Sequence, residues 1–192
     1  MAKHRFDPIK KDKLFNKERI ARLKPMQLLL KHGLKEGDKI ADIGAGNGFF
    51  AIPAAKIVKE SGQVFAVDVE KIMLRDLNKR ASSAAVEKNI TLIKSSENRA
   101  ELAEKVDFML FSYLIHEIDD KESFLDNYLK FLKTDSKILI VEWTKNNMDE
   151  GPPKNHRIGR DELKKILEKK QLKNIKIEEI DEKNYLITAE KL

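Results

Sequence analysis

The 192-residue chain contains no cysteine, one tryptophan and only five prolines. Without cysteine it can have no disulfide framework, no thiolate metal site and no thiol nucleophile. Long apolar runs are also missing, because no stretch approaches the roughly 18 residues that a membrane-spanning helix requires. The basic first residues are not followed by the apolar segment of a secretory signal. We therefore expect a globular, cytoplasmic protein with no membrane span and no metal site.

Charge of one sign is only slightly in excess, with 38 Lys and Arg against 32 Asp and Glu, for a net charge of +6. Most lysines alternate with acidic residues, whereas nucleic-acid-binding proteins cluster basic residues on one face. The exception is the stretch from Lys3 to Lys24, which holds eight or more basic residues and few acidic ones. A solvated amphipathic segment explains it better than an anion-binding arm, so nucleic acid is not the expected partner.

Strand and helix patterns alternate along the rest of the chain. Short apolar runs predict seven strands, at residues 39–43, 63–68, 90–94, 106–111, 137–142, 175–180 and 185–189. Helical spacing predicts helices at residues 25–33, 73–84, 124–132 and 161–171. Apolar strands separated by amphipathic helices indicate a parallel sheet covered on both faces. The last two strands are too close in sequence for a crossover helix, so they must form an antiparallel hairpin.

The predicted fold is therefore α/β, with a doubly wound sheet of six strands and a seventh, antiparallel strand at its end. A glycine-rich segment, Asp42-Ile-Gly-Ala-Gly-Asn-Gly48, follows the first strand. Open parallel sheets bind ligands at this position. Alternate glycines allow positive φ and a close approach of the backbone to a ligand, and we call residues 44–48 the glycine loop. Asp68 ends the second strand, where a carboxylate can accept both hydroxyls of an adenosine ribose.

The glycines alone do not distinguish two classes of cofactor. The run from Gly46 to Ala51 fits the G-x-G-x-x-G/A pattern of dinucleotide-binding proteins. However, Asp42 is unfavourable beside a pyrophosphate and suits the ammonium and sulfonium groups of S-adenosylmethionine. Phe49 and Phe50 also crowd the helix start, and a terminal antiparallel hairpin is foreign to the dinucleotide fold. No Gly-Lys-Ser/Thr follows, which excludes a P-loop.

In these segments the sequence resembles the class I S-adenosylmethionine-dependent methyltransferases, in particular the small-molecule branch related to quinone-biosynthesis enzymes. The matching residues are, in order, Ala41-Asp-Ile-Gly-Ala-Gly-Asn-Gly-Phe-Phe50, Val67-Asp-Val69, Lys94-Ser-Ser-Glu-Asn98, Val106-Asp-Phe-Met-Leu-Phe-Ser-Tyr-Leu-Ile-His-Glu117 and Val141-Glu-Trp143. The resemblance implies a Rossmann-like methyltransferase fold, S-adenosylmethionine as cofactor and S-adenosylhomocysteine as product. One domain over residues 1–192 is expected, divided into an N-terminal helical cover (1–33), a cofactor-binding core (34–145), a lid loop (146–159) and a C-terminal helix and hairpin (160–192).

The resemblance also implies a role for individual residues in binding the cofactor. The glycine loop would cradle the methionine part, Asp68 would hold the ribose hydroxyls, and Val69 would pack on the adenine. Many members of the family carry Asp near the position of Ser95, so this part of the adenine site departs from the family pattern. The full set of implied cofactor-binding residues is Asp42, Gly44, Ala45, Gly46, Asn47, Gly48, Asp68, Val69, Ser95, Ser96, Glu97, Phe111, Ser112 and Tyr113.

Methyl transfer from a sulfonium is an in-line displacement that releases a neutral thioether, so it needs no acid and depends on positioning. A base is required only when the acceptor must lose a proton. His116 is the candidate base, and a helix-capping or cofactor-packing histidine is the alternative. Trp143 is either a pocket wall or core filling, and the N-terminal segment with Phe6, Phe15 and Arg19 is a candidate second cover. The candidate substrate residues are Glu142, Trp143, His156 and Arg157.

The predicted function is transfer of a methyl group to a small-molecule acceptor. An RNA methyltransferase is one alternative, although Phe111-Ser-Tyr-Leu114 stands where base amino methylation usually has Asp/Asn-Pro-Pro-Tyr/Phe. A non-catalytic cofactor-binding module is a second, since the chemistry requires no obligatory side chain, and a nicotinamide dehydrogenase is a third. The sequence leaves the acceptor and the oligomeric state open.

Overall fold

A seven-stranded sheet forms the centre of the protein in the computed structural model, which describes residues 17–96 and 101–192. The strands are β1 Lys39–Ile43, β2 Gln63–Asp68, β3 Ile90–Lys94, β4 Val106–Ser112, β5 Leu132–Trp143, β6 Leu172–Glu179 and β7 Asn184–Lys191. Their order is β3-β2-β1-β4-β5-β7-β6. Strands β1 to β5 pair in parallel, and β7 is antiparallel to both of its neighbours. The predicted sheet and hairpin are confirmed, with the antiparallel strand one position inside the edge, which β6 forms.

Six helices cover the sheet in the described ranges. They are α1 Lys17–Leu23, α2 Pro25–Lys31, α3 Ala51–Val58, α4 Lys71–Ser83, α5 Lys121–Leu129 and α6 Arg160–Glu168. Helix α5 ends three residues earlier than the spacing of apolar residues predicted, because Leu132 pairs with Val106 as the first residue of β5. Within the ranges 17–96 and 101–192, no helix combines the length and the apolar character that crossing a membrane requires.

The two faces of the sheet carry separate apolar cores. Successive strand residues alternate between them, so that Leu110 joins the core with α2 and α3 while Phe111 joins the core with α5 and α6. All buried strands therefore read as nearly continuous apolar runs, as expected for a sheet covered on both sides. The carboxyl ends of β1, β2, β4 and β5 meet at one edge of this sandwich, where the functional residues predicted from the sequence lie.

The segment that follows β1 does not become helical at once. Residues 44–50 form turns, and α3 begins only at Ala51. Pro53 consequently lies in the first helical turn, where the backbone N–H that proline lacks would have no partner inside the helix.

The carboxyl end of α3 is capped by a side chain from a distant segment. Asn89 is buried in a short 3-10 turn before β3, and its amide donates to the carbonyl oxygens of Ala55 at 2.8 Å and Lys59 at 3.0 Å. The last carbonyls of a helix have no partner within the helix. The carbonyl oxygens of Ala55 and Lys59 each accept a backbone N–H as well, so Asn89 adds a second donor to both and ties the start of β3 to α3.

We expect Asn89→Ala to lower the free energy of unfolding by about 2 kcal/mol, because two hydrogen bonds of a buried amide at the end of α3 are lost. Urea denaturation measures this change. The exposed neighbour Lys88 provides the control, and Lys88→Ala should shift stability by no more than about 0.5 kcal/mol. Equal effects of the two substitutions would contradict the capping role.

Candidate cofactor and active site

The glycine loop folds back from the end of β1 onto β2. The backbone N–H groups of Gly44 and Ala45 both donate to the carbonyl oxygen of Val67, each at 2.9 Å. The N–H of Gly46 donates to Oδ2 of Asp68 at 2.8 Å. These bonds fix the loop across the carboxyl ends of two adjacent strands, which is where the sequence predicted a cofactor.

Gly48 shows most clearly why this loop needs glycine. Its φ is +93°, and a Cβ at this position would lie 3.0 Å from Leu77 and 3.1 Å from Ile52. Any other residue would be strained in the backbone and crowded by both neighbours. The preceding Asn47 is only 1% exposed, so the second half of the loop is packed into the protein.

Asp42 is the most unusual residue of the site. It is 1% exposed, and among the described residues neither carboxylate oxygen has a hydrogen-bond partner. Burial, and then repulsion from Asp68, raises the pKa of Asp42 to about 7. The backbone N–H of Ala51 opposes this rise, although it lies outside good hydrogen-bond geometry. A buried carboxylate without a partner is costly, so a cation bound in front of Asp42 would remove the cost.

Asp68 is held differently, by backbone groups on both sides. In addition to Gly46, the N–H of Glu70 donates to Oδ1 at 2.8 Å. Each carboxylate oxygen has a second acceptor position, so the geometry is compatible with two further donors such as a ribose diol. Asp42 and Asp68 place two negatively charged acceptors at the glycine loop, an arrangement that suits a cationic, phosphate-free adenosine compound.

The remaining residues of the predicted adenine and cofactor walls fall into four groups. Val69 and Ser95 are half-buried beside Asp68, and the N–H of Ser95 donates to the Asp68 carbonyl oxygen at 3.0 Å. Ser96 is exposed, and Glu97 lies outside the described residues. Phe111 is fully buried, with its ring against Phe124 and Tyr128 in the core. Ser112 and Tyr113, which follow it, are half-exposed at the sheet edge.

Tyr113 is held in a strained backbone conformation at the end of β4. Its φ is +53°, which is rare for an aromatic residue. Its N–H donates to the Val141 carbonyl oxygen at 2.8 Å, and its hydroxyl donates to Oδ1 of Asn184 at 2.6 Å. Its ring centroid lies 4.9 Å from that of Trp143. Such strain persists where surrounding contacts over-determine it, typically at functional sites.

A buried histidine–carboxylate pair lies next to Tyr113. Nδ1 of His116 donates to Oε2 of Glu142 at 2.7 Å, and the His116 backbone N–H donates to Oε1 at 3.2 Å. The two side chains are 5% and 0% exposed. Burial alone would lower the pKa of His116, but the charge and hydrogen bond of Glu142 outweigh it, so the pKa is raised. In the described part of the chain, no group bonds the other ring nitrogen, Nε2.

Trp143 and the loop at residues 146–159 pack on each other. Gly151 has φ +88°, and a Cβ there would lie 3.0 Å from the indole ring. Trp143 is half-buried between this loop and Tyr113. The indole therefore anchors the loop at the sheet edge, beside His116.

The guanidinium of Arg157, a predicted substrate residue, is engaged by the backbone of its own loop. Arg157 is 5% exposed, and its guanidinium donates to four backbone carbonyl oxygens of its own loop and the preceding strand end. The acceptors are Pro152 at 2.7 Å, Asn146 at 3.0 Å, Glu150 at 3.1 Å and Thr144 at 3.3 Å. Arg157 therefore holds the loop together from inside. His156 lies in the adjoining 3-10 turn and is half-buried.

Helix α1 lies over the same sheet edge. The Arg19 guanidinium stacks on the rings of Phe49 and Tyr113, 4.2 Å and 4.9 Å from their centroids. Arg22 donates to both carboxylate oxygens of Glu150, at 3.1 Å and 3.2 Å. The described part of the predicted N-terminal cover thus contacts Phe49 just after the glycine loop, Tyr113 just after β4, and the 146–159 loop. Phe6 and Phe15 lie outside the described residues.

Sequence reasoning missed Asn184 as a site residue and treated it only as part of the hairpin turn. It is fully buried, accepts the Tyr113 hydroxyl, and donates to both oxygens of Asp181 at 2.8 Å and 3.0 Å. The sequence offers little indication of this role, because an asparagine in a turn is ordinarily explained by the turn itself. Across the described ranges, no group of three or more His, Asp or Glu could hold a metal ion.

Comparison with known proteins identifies related chains over most of the sequence. A family model described as a methyltransferase domain matches residues 34–184. A crystal structure of a SAM-dependent methyltransferase from Aquifex aeolicus is 30% identical with a TM-score of 0.88, and the match covers 98% of this chain and 100% of that one. A SAM-dependent O-methyltransferase from Thermotoga maritima is 21% identical with a TM-score of 0.68, covering 88% and 64% of the two chains, and shows likeness of fold.

Curated relatives match a shorter part of the sequence. The ubiquinone/menaquinone biosynthesis C-methyltransferase UbiE of Haemophilus ducreyi is 26% identical over 118 residues, which are 61% of this chain and 46% of the relative. That of Pasteurella multocida is 24% identical over the same share of this chain and 44% of its own. The chain thus spans about half the length of the curated relatives that it matches.

We expect Gly48→Ala to lower the free energy of unfolding by about 3 kcal/mol, from backbone strain and from crowding of Leu77 and Ile52. Gly37 provides a matched control, since its φ is +85° but a Cβ there would meet only Ser61 Oγ at 3.8 Å. Gly37→Ala should cost about 1 kcal/mol. Thermal and urea denaturation of both variants test the difference, and similar losses would contradict the packed loop.

Because the pKa of Asp42 is raised, replacing its carboxylate with a neutral side chain should increase the free energy of unfolding by an amount that depends on pH. The folded state holds this proton more tightly than the unfolded state, so its contribution to stability falls as pH rises from about 4 to about 7. Asp42→Asn should therefore stabilise the protein at pH 8, by about 2 kcal/mol or more, and have little effect at pH 4. Urea denaturation at both pH values measures this, with the exposed Asp119→Asn as control. A gain that is equal at both pH values would refute the assignment.

Proposed function

The chain belongs to the methyltransferase domain family, and we propose that it transfers a methyl group from S-adenosylmethionine to a small-molecule acceptor. The observation that carries this proposal is Asp42, a carboxylate that is buried at the entrance to the glycine loop without a partner for either oxygen. A pyrophosphate would place further negative charge beside it, whereas the ammonium and sulfonium groups of this methyl donor complement it.

The residues around the loop would hold the methyl donor by complementary contacts. Asp42 would pair with its ammonium group, and the backbone of the glycine loop would enclose its methionine part. Asp68 would accept the ribose hydroxyls, and Val69 would pack on the adenine. Ser95 and Ser96 would lie towards the adenine edge. When bound, the cofactor supplies an electrophilic methyl group on a sulfonium that leaves as a neutral thioether.

His116 and Glu142 supply the base for acceptors that must lose a proton. Glu142 fixes Nδ1 of His116 at 2.7 Å, so the proton of the acceptor would pass to Nε2. The carboxylate then stabilises the imidazolium that forms, and the second bond to the His116 backbone N–H keeps the ring oriented. His116 acts as the catalytic residue in this scheme, and Glu142 as a positioning residue.

The aromatic side chains near His116 are suited to an acceptor that contains a ring. Tyr113 and Trp143 present adjacent aromatic side chains, and α1 and the 146–159 loop lie over the same edge and would exclude water. The curated relatives are named for C-methylation in ubiquinone and menaquinone biosynthesis, and aromatic walls suit an acceptor of that kind. A cytoplasmic location stays a prediction of the sequence.

Two measurements test this function in order. Calorimetry should detect binding of S-adenosylhomocysteine, and Asp42→Asn should weaken that binding. A panel of hydroxyaromatic and quinol acceptors is then incubated with S-adenosylmethionine, and formation of S-adenosylhomocysteine is followed. Quenching of Trp143 emission by NADH without binding of S-adenosylhomocysteine would instead indicate a dehydrogenase. Binding without turnover of any small molecule or RNA would indicate a non-catalytic module.

If His116 is the base, the midpoint of the pH–rate profile should shift by different amounts when each of its acidic neighbours is replaced. Activity should rise with pH as His116 loses its proton, with a midpoint above 6.5, the ordinary value of a histidine pKa. Glu142→Gln should move this midpoint to lower pH, and Glu117→Gln should move it less, because Glu117 contributes the smaller charge effect. His116→Gln should reduce kcat by about 100-fold or more while leaving S-adenosylhomocysteine affinity unchanged. A profile that Glu142→Gln does not shift would exclude this base.

A further inference from the structure

The outward side of α1 and α2 combines large apolar side chains with lysines. Ile20, Met26 and Leu30 are 37%, 38% and 51% exposed. In the described ranges, only Ile72 and Leu192 are comparable exposed large hydrophobics, so three of the five lie within residues 20–30. Single exposed apolar residues are ordinary on a protein surface, but their concentration on one segment marks an interaction site.

The exposed residues follow the helical repeat, while the opposite side packs on the core. Leu23, Leu28 and Leu29 are buried. The outward residues form what we name the α1–α2 face: Lys17, Ile20, Ala21, Lys24, Met26, Gln27, Leu30 and Lys31. Glu18 is the only acidic residue between positions 17 and 31. Apolar residues flanked by lysines on a helix surface are typical of elements that lie in a membrane interface.

Charge is concentrated in the same part of the sequence. Residues 1–24 contain nine Lys or Arg and three Asp or Glu, whereas the whole chain contains 38 and 32. The other 168 residues therefore hold 29 of each sign and are neutral overall. The entire net charge of +6 belongs to the N-terminal 24 residues, which include all of α1.

We propose that the α1–α2 face docks on an anionic membrane surface. Ile20, Met26 and Leu30 would enter the boundary between headgroups and acyl chains, and Lys17 and Lys24 would reach the anionic headgroups. Lys31 pairs with Glu178 of β6 at 2.6 Å. Charge complementarity selects this occupant. A second copy of the chain would present an equally basic face and be repelled, and a nucleic acid would gain nothing from three exposed apolar side chains.

Helix α1 connects this face to the candidate active site. Its inward residue Arg19 stacks on Phe49 and Tyr113, while its outward residue Ile20 belongs to the docking face. Docking would therefore place the roof of the site against the bilayer. The binding test requires neither cofactor nor acceptor, so its result is independent of the proposed methyltransferase function.

The test is flotation of the full chain with vesicles of phosphatidylcholine alone and of phosphatidylcholine with about 30% phosphatidylglycerol. We expect at least tenfold stronger partitioning to the anionic vesicles, and weaker partitioning as salt is raised. The combined variant Ile20→Ser/Met26→Ser/Leu30→Ser should lower partitioning by about tenfold or more, although every lysine is retained. Lys17→Gln and Lys24→Gln should each lower it about fivefold.

Matched controls use equally exposed residues elsewhere. Leu192→Ser removes an apolar side chain and Lys88→Gln removes a positive charge, and neither should change partitioning. All substituted side chains are exposed, and circular dichroism would verify that each variant folds. Equal partitioning to both vesicle types, or an unchanged triple-serine variant, would overturn the proposal.

Two other results would also overturn it by identifying another occupant. If RNA displaces the protein from vesicles and the triple-serine variant keeps its RNA affinity, the face binds nucleic acid through charge alone. If light scattering shows a dimer that the triple-serine variant converts to a monomer, the face is covered by a second copy.

Discussion

The site depends on two carboxylates held side by side at the ends of β1 and β2. Asp68 is stabilised by two backbone N–H groups, one of them from the glycine loop. Asp42 has no such support, and its proximity to Asp68 and its burial keep its pKa high. The parallel pairing of β1 and β2 sets their separation, since Asp42 and Ala66 are register partners and Asp68 follows two residues later. The fold thus maintains an unfavourable pair of negative charges that a cationic ligand can relieve.

The sequence was informative about the fold wherever the pattern of a single strand or helix was sufficient. All seven strands were predicted, and the central ones are apolar nearly throughout because both of their faces are buried. The predicted ends of helices and strands were less accurate where a residue fitted both the helical and the strand repeat. Leu132 continued the helical spacing of Phe124 and Tyr128, but pairing with Val106 assigns it to β5. The inner position of β7 depends on which strand pairs with β5, a long-range choice that the hairpin connection does not determine.

The site shows the same division between local and long-range information. The glycine loop and Asp68 could be predicted because each follows its strand directly. His116 was found as a candidate, but its bond to Glu142 joins residues 26 positions apart, one in the 3-10 turn after β4 and the other on β5. Arg157 was predicted as a substrate residue because its loop was expected to form a lid over the site. The carbonyl groups that instead occupy its guanidinium come from a loop conformation with no sequence signature.

Glu150 joins three segments that are remote in sequence. It accepts hydrogen bonds from Arg22 of α1 and, at 2.6 Å, from Lys183 of the β6–β7 turn. Ion pairs at such exposed positions contribute little free energy, so the contacts of Glu150 with Arg22 and Lys183 can break readily at ordinary temperature. Because the three segments share one carboxylate, loss of the Glu150 charge would remove a contact from the N-terminal helix, the 146–159 loop and the hairpin turn at the same time. The stacking of Arg19 and the carbonyl contacts of Arg157 would still hold the helix and the loop in place.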